Sequence, residues 1–427
     1  MTPRRADLTA AGAALALVAL ASAVAAVLHL SGRSVHASAA PFTAVWRPHA
    51  GPGTPLTLIV AASVIRYGPR LAATLPWRRL LLSTYGAAFA WIVALALVDG
   101  WQRGVAGRLT TRHEYLSQVA GAGPVPTLLR GFANRIADFQ PDSWTTHVAG
   151  HPPGAFLVFV GLDRIGLRGG AWAACVCMAV AALAAVAVPV TLRALGSESD
   201  ARTAVPFLVL FPGAVWLGVS ADGLFTGVAA TGLALLALCV TRRAVLAGLA
   251  AGLLLGFAVY LSYGLTLLGV LALGVLLAAR RLPPWPVLAG AGIVVLAFTL
   301  AGFWWIEGYQ QVTVRYYQGI ARLRPYGYWV WANLALVVVS AGPASAVMLR
   351  RAALNPRRGL LALAALTAIL LADLSGFSKA EVERIWLPFL VWLLAGAALL
   401  APATRRGWLI AQAAVAILVN HLLLTTW

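Results

Sequence analysis

Apolar runs approaching 20 residues recur along the whole of this chain, from Leu8–Leu30 to a last one that closes near residue 425. Each is close to the length needed to cross a hydrocarbon core about 30 Å thick. Inside such a core every backbone N–H and C=O must find its partner within the chain, which repeated helices achieve. The sequence therefore predicts an all-α polytopic membrane protein. Composition agrees: 61% of residues are hydrophobic and 11% charged, against about 45–50% and about 25% in soluble domains. The runs fall at 8–30, 54–67, 80–99, 170–194, 204–219, 223–241, 244–261, 263–279, 284–305, 327–349, 359–375, 384–401 and 407–425. That makes about thirteen predicted spans, of which 54–67 is the shortest.

Arginine pairs set the orientation. They stand at 4–5, 78–79, 242–243, 280–281, 350–351, 357–358 and 405–406. With the N terminus in the cytosol and thirteen crossings, all of them face the cytosol and the C terminus lies outside, as the positive-inside rule requires. The formal charge of +19 is spread over short loops between spans. It therefore reads as cytosolic retention and attraction to anionic lipid, not as a nucleic-acid surface. Cys175, Cys177 and Cys239 fall inside predicted spans and read as small packing residues. The first run follows a basic start, as in a signal peptide, but it is long for one and more spans follow. It is expected to be an uncleaved span.

The stretch "TTHVAGHPPGAFLVFVGLDRIGL" (145–167) tests this topology. Were it a full span, every later arginine pair would face outward. Its apolar part is also too short to cross. It is expected to be a helix at the outer interface, with Pro152 and Pro153 at its start, where a missing N–H is harmless. It belongs to an outer loop, 100–169, far longer than the roughly 12–15 residues beyond which loops tend to be functional. Asp99 precedes that loop, which carries His113, Glu114, Tyr115, Asp138, Asp142, Trp144, His147 and His151. Its aromatic content predicts docked amphipathic juxtamembrane helices. Acids recur at the outer ends of later spans: Asp222 in "VSADGLF", Glu307, and Glu381 with Glu383 in "SGFSKAEVERIWLPF". A second outer loop, 306–329, interleaves tyrosines with Arg315, Arg322 and Arg324. Carboxylates to abstract a proton, cations for a phosphate and aromatics for a sugar face thus share one side. Glycosyl transfer from a lipid-linked phosphate sugar needs that set.

Four short motifs in this order, "TTRHEYL" (110–116), "GHPPGAF" (150–156), "SAD" (220–222) and "EVERIWLPF" (381–389), resemble the GT-C superfamily of integral membrane glycosyltransferases. Within it the chain looks most like the protein O-mannosyltransferases and the lipid A aminoarabinose transferases. The resemblance covers residues 80–400 or so. It implies a core at 80–427 whose outer loop holds the site, preceded by two additional N-terminal spans in 1–79. It implies a polyprenyl-phosphate sugar as donor, inversion at the anomeric carbon, and a hydroxyl acceptor on a cell-envelope glycan, lipid or protein. Some members use a divalent metal and others none, so the resemblance leaves that open. The chain departs from the pattern in three ways. His113-Glu114 stands where the family usually has Asp or Asp-Glu, two extra spans precede the core, and no soluble domain is expected after the last span.

Glu114 is the first candidate for the base that deprotonates the acceptor, with Asp99 as its rival; either can instead be an ordinary loop or helix-end acid. Asp222 is expected to hold the acceptor, orient the base or assist a metal, the alternative being that it simply N-caps the next span. His147 and His151 are candidates to donate to phosphate or sugar hydroxyls, the alternative for His151 being a helix cap. No His-Glu spacing proposes a zinc site. Arg384 and Lys379 are the favoured phosphate ligands, with snorkelling as the alternative for Arg384. Tyr115, Arg315 and Tyr263 are further candidate substrate contacts. The competing function is a multi-span transporter or lipid flippase. Such folds favour mid-membrane charges and internal repeats, and this chain has few of the former and none of the latter that we find.

Overall fold

Helix dominates wherever the apolar runs are free of internal Pro-Gly breaks. The computed structural model describes residues 2–426 and is 76% helical. Five helices are long and apolar enough to cross a membrane: Pro3–Leu30, Gly53–Thr74, Trp77–Asp99, Gly170–Ala194 and Ala221–Arg242. Three helix pairs also qualify if each is one bent span. The bends are 73° between Trp285–Leu300 and Trp305–Gln318, 104° between Tyr326–Ala341 and Pro343–Leu354, and 120° between Leu387–Leu399 and Pro402–Leu422. By length and composition five helices qualify as spans, or up to eight if each bent pair is one span. Val245–Leu261, Tyr263–Ala279 and Leu360–Leu374 are apolar but shorter.

Three expected spans are reshaped for local reasons. The run at 204–219 stops at Val209, because Phe211-Pro212-Gly213 turns the chain before the short helix Ala214–Leu217. The run at 327–349 breaks at Gly342-Pro343, where Gly342 takes φ 79°. Gln412 repairs that break: its amide donates to the Ala341 carbonyl at 2.7 Å and accepts from the Ala344 N–H at 3.4 Å. Backbone groups freed inside a membrane need such a partner. The run at 407–425 ends as helix at Leu422, and Leu423–Thr425 then pairs antiparallel with Ala44–Trp46, Ala44 opposite Thr425. The fold is thus nearly, not wholly, α-helical.

The stretch with two prolines forms the helix Pro153–Arg164. At about 1.5 Å per residue its twelve residues reach only ~18 Å, well short of a bilayer core. Gly154 lets it lie against Tyr260, whose carbonyl a Cβ there would approach to 2.5 Å. The small-residue run 248–256 packs as closely on the helix Trp285–Leu300: a Cβ at Gly252 would come within 2.1 Å of the Val287 carbonyl. This is the backbone approach that small residues permit between apolar helices.

Charged groups collect at two opposite ends of the bundle. At one end Asp7, near the start of the first helix, pairs with Arg350 and Arg351, and Asp200 pairs with Arg358. At the other end lie His49, Asp99, Glu114, His147, Asp222, Arg324, Glu381 and Arg384. The helix Ala221–Arg242 joins the two, with Asp222 in its first turn and Arg242 in its last.

Candidate active site

At the Glu114 end an ion pair forms between residues 162 positions apart: Arg384 Nη1 donates to Asp222 Oδ2. Both side chains are buried. Asp222 is delivered by its helix start. Ser220 is the N-cap, its Oγ accepting from the Gly223 N–H at 3.1 Å while donating to the Trp216 carbonyl at 2.7 Å. The cap of this helix is therefore Ser220 and not Asp222, whose carboxylate turns instead to the arginine. Arg384 rides on the short helix Val382–Ile385.

Backbone strain sits on both sides of this pair. Val219 has φ 61°, and Ala380 and Glu381 have φ 68° and 64°. Left-handed conformations disfavour L-residues by roughly 1–2 kcal/mol each, and more for a β-branched valine. Such residues persist only where their surroundings enforce them. Asn333 is the enforcer at 378–380. Its amide donates to Asp373 Oδ1 at 2.8 Å and to the Ser378 carbonyl at 2.7 Å, and its oxygen accepts from the Ala380 N–H at 3.2 Å.

Around Arg384 the other groups form a chain. Its Nη2 lies 3.5 Å from His147 Nε2 and 3.5 Å from Glu381 Oε2, the outer limit of hydrogen bonding. Glu381 Oε1 accepts from Arg324 Nη2 at 2.9 Å, and Arg324 Nη1 donates to the Lys379 carbonyl at 2.7 Å. His147 Nδ1 donates to the His113 carbonyl at 2.8 Å, which fixes its tautomer and turns the Nε2 lone pair to Arg384. Glu114 Oε1 lies 3.5 Å from the same Nδ1. His151 Nδ1 bonds the His147 carbonyl at 2.8 Å.

Burial sets the electrostatics. It raises the Glu114 carboxyl to about 7, with Arg384 opposing and Asp222 reinforcing the shift. Burial, helped by Arg384, pushes His147 well down, and burial also lowers His151, so the site disfavours the charged form of both imidazoles. Tyr115 is fully buried, its ring 5.0 Å from Phe159, 5.9 Å from His151 and 6.1 Å from His147. Its hydroxyl has no hydrogen-bond partner among the described residues. A carboxyl raised to about 7, two buried imidazoles and a buried arginine–carboxylate pair make an arrangement suited to proton abstraction beside an anion.

No protein-family model matches this chain, and no curated protein matches it.

The remaining sequence candidates lie elsewhere. Asp99 is in a separate cluster, bonded to His49 Nε2 at 2.8 Å and facing Arg108 at 3.2 Å and Arg103 at 3.5 Å. Arg103 also donates to the Thr425 carbonyl at 3.1 Å. Asp99 thereby ties the loop after the first helix, the long loop and the C-terminal strand, and its oxygens are committed to those partners. Arg315 pairs with Asp138 at 2.6 Å, which fastens the helix Trp305–Gln318 to the long loop. Tyr263 packs in an aromatic group with Trp305 and Tyr309, its ring 5.2 and 5.8 Å from theirs. Lys379 Nζ stands 3.3 Å from the Arg324 carbonyl and about 5.9 Å from the Tyr316 ring, one step removed from Arg384. Among the described residues no group of three His, Cys, Asp or Glu side chains is arranged to hold a metal ion.

Two contributors escaped the sequence reading. Arg108 feels both Asp99 and Glu114 and so links the two clusters. Asn333 clamps the turn before Arg384. Neither stands in a motif, and only the packing reveals them.

Proposed function

We propose that the chain is a membrane glycosyltransferase related to the GT-C superfamily, moving a sugar from a polyprenyl-phosphate donor to an acceptor hydroxyl at the outer face of the cell membrane. The observation that carries the reading is Glu114: a carboxyl raised to about 7, close to the buried Arg384–Asp222 pair. Glu114 accepts the proton of the acceptor hydroxyl. The oxygen left on the acceptor attacks the anomeric carbon, and the bond from that carbon to the phosphate oxygen breaks. Arg384, through the guanidinium edge facing His147 and Glu381, steadies the negative charge on the departing phosphate, with Lys379 and Arg324 beyond it. Asp222 positions Arg384.

The topology proposed with this function is thirteen crossings, N terminus in the cytosol and C terminus outside. Three observations support it. Asp7, Asp200 and their arginine partners lie at the end predicted to face the cytosol. The catalytic candidates lie at the opposite end. The strand 44–46, one helix from the N terminus, pairs with 423–425, so an even number of crossings separates them and the total is odd.

The test uses membranes carrying the protein and a radiolabelled polyprenyl-phosphate sugar. Glu114→Gln slows transfer by about 10²–10⁴ while Asp99→Asn keeps most of it. Full activity in Glu114→Gln removes the proposed base. A carrier is the second reading, favoured by the sharp bends within three helix pairs, since broken helices often frame transport sites. Substrate uptake by sealed vesicles without sugar transfer would favour it.

A further inference from the structure

Between Asp222 and Glu307 the chain has no acidic residue, yet it carries Arg242, Arg243, Arg280 and Arg281 in two loops at the end opposite Glu114. The acids of that end are engaged by other arginines: Asp7 by Arg350 and Arg351, Glu198 by Arg193 and Arg202, Asp200 by Arg358. A cavity of about 280 Å³ opens between the two loops, and of the four arginines it is Arg243 and Arg281 that line it. Neither guanidinium has a hydrogen bond or ion pair among the described residues.

The backbone adds to their charge. The helices Val245–Leu261 and Trp285–Leu300 lie parallel, because their close approaches pair numbers that rise together. A Cβ at Gly248 would come within 2.9 Å of Pro286, one at Gly252 within 2.1 Å of Val287 and one at Gly256 within 3.0 Å of Ala291. Both helix starts therefore stand side by side at the cavity, which Val245, Pro284 and Trp285 help to line. Neither start is capped by a side chain, so two sets of first-turn N–H groups and two positive dipole ends meet there.

The remaining lining is apolar. Buried Cys239 and Val240 lie at its floor, while Leu282 and Trp285 are 87% and 67% exposed. Leu246 and Leu288, on the first turns of the two helices, are also exposed. Guanidinium forks match phosphate oxygens bidentately, and tryptophan favours the headgroup level of a bilayer. Basic pockets between spans on the cytosolic side suit anionic headgroups, and this end is the one predicted to face the cytosol. We propose that this niche binds one anionic phospholipid, its phosphate between Arg243 and Arg281 and its acyl chains along Leu246 and Leu288. A free phosphate would use the arginines alone and leave the exposed leucines and Trp285 without a role. The lipid site holds whether or not the Glu114 end transfers sugar.

The experiment titrates full-length protein in a mild non-ionic detergent with phosphatidylglycerol or phosphatidylcholine and counts bound lipids by native mass spectrometry. One phosphatidylglycerol is expected to be held more tightly than the rest and not to be replaced by phosphatidylcholine. Arg243→Gln and Arg281→Gln each weaken that lipid about fivefold, and together about 25-fold, the usual worth of an arginine beside an anionic lipid. Arg242→Gln combined with Arg280→Gln removes the same charge from the same two loops but outside the cavity, and leaves the lipid in place. Val245→Trp, at a 46% exposed position on the lining, fills the niche and loses the lipid with all four arginines present. It keeps the test decisive should loss of the arginines disturb folding. Equal weakening by the two arginine pairs, a lipid still held in Val245→Trp, or no lipid held above the others overturns the site. Displacement of the lipid by millimolar inorganic phosphate overturns the phospholipid in favour of a free anion.

Discussion

Glu114 gives the sharpest handle on mechanism, because its ionisation falls inside the range where the protein can be assayed. With the carboxyl at about 7, roughly one-eleventh is ionised at pH 6 and ten-elevenths at pH 8, so transfer that needs the carboxylate rises about tenfold across that interval. A carboxyl at its ordinary value near 4.5 would give a flat profile there. Glu114→Gln keeps the shape of the side chain, loses about 10²–10⁴ in rate, the usual worth of a general base, and loses the pH dependence with it. The same residue makes a stability prediction of opposite sense. A carboxyl raised on folding binds protons more tightly in the native state, so stability falls as pH climbs from about 4.5 to 7 and is level above. The rise to about 7 corresponds to ~3 kcal/mol at most; the side chain is 14% exposed, so little is lost to solvent screening. Glu114→Gln lacks that penalty: it matches the parent near pH 5 and melts higher at pH 8. The assays are initial rates in nanodiscs at fixed lipid composition and thermal unfolding of the same samples. A parent profile flat from pH 6 to 8, or a Glu114→Gln variant that keeps both rate and slope, refutes the reasoning.

Other substitutions separate chemistry from architecture. Asp99→Asn loosens the junction of His49, Arg103 and Arg108, lowering the melting temperature while leaving the pH profile of transfer in place; a flattened profile would make Asp99 the base. Arg384→Ala strands the buried Asp222 carboxylate, at about 3–5 kcal/mol, whereas Arg384→Lys keeps the charge and is expected to fold and raise the donor KM; an unchanged KM counts against the phosphate role. Gly342→Ala sets a Cβ 1.8 Å from Gln412 Oε1 at φ 79° and lowers stability by about 1–3 kcal/mol, read as reduced detergent half-life; wild-type behaviour would mean the break is not held as described.

Local features were readable from the sequence where a local cause decides them. Ser220 announces a helix start because its hydroxyl needs only a backbone N–H three residues on. Pro152-Pro153 announces the short helix Pro153–Arg164 for a similarly local reason. The bend at Gly342-Pro343 was visible as a dipeptide, yet apolar continuity on both sides masks it, and Gln412 on a distant helix is what makes it tolerable. Arg384 and Asp222 each stand out in the sequence, but nothing in either segment says that they meet. Asp99 misleads for the same reason: a span-end acid beside a large loop looks reactive until His49, from before the core, arrives at 2.8 Å. Span number is also poorly fixed by hydropathy, because helices sheltered by neighbours, such as Leu360–Leu374, need not meet the length that lipid contact demands.

The central claim is that Glu114 and Arg384 act on one reacting centre at the outer membrane boundary. A double-mutant cycle in single-turnover sugar transfer, with Glu114→Gln, Arg384→Lys and the two combined, measures that most directly, since groups serving one transition state have losses that do not multiply. The account predicts a double variant about as slow as the slower single one. Losses that multiply in full, or transfer unaffected by either change, would contradict it.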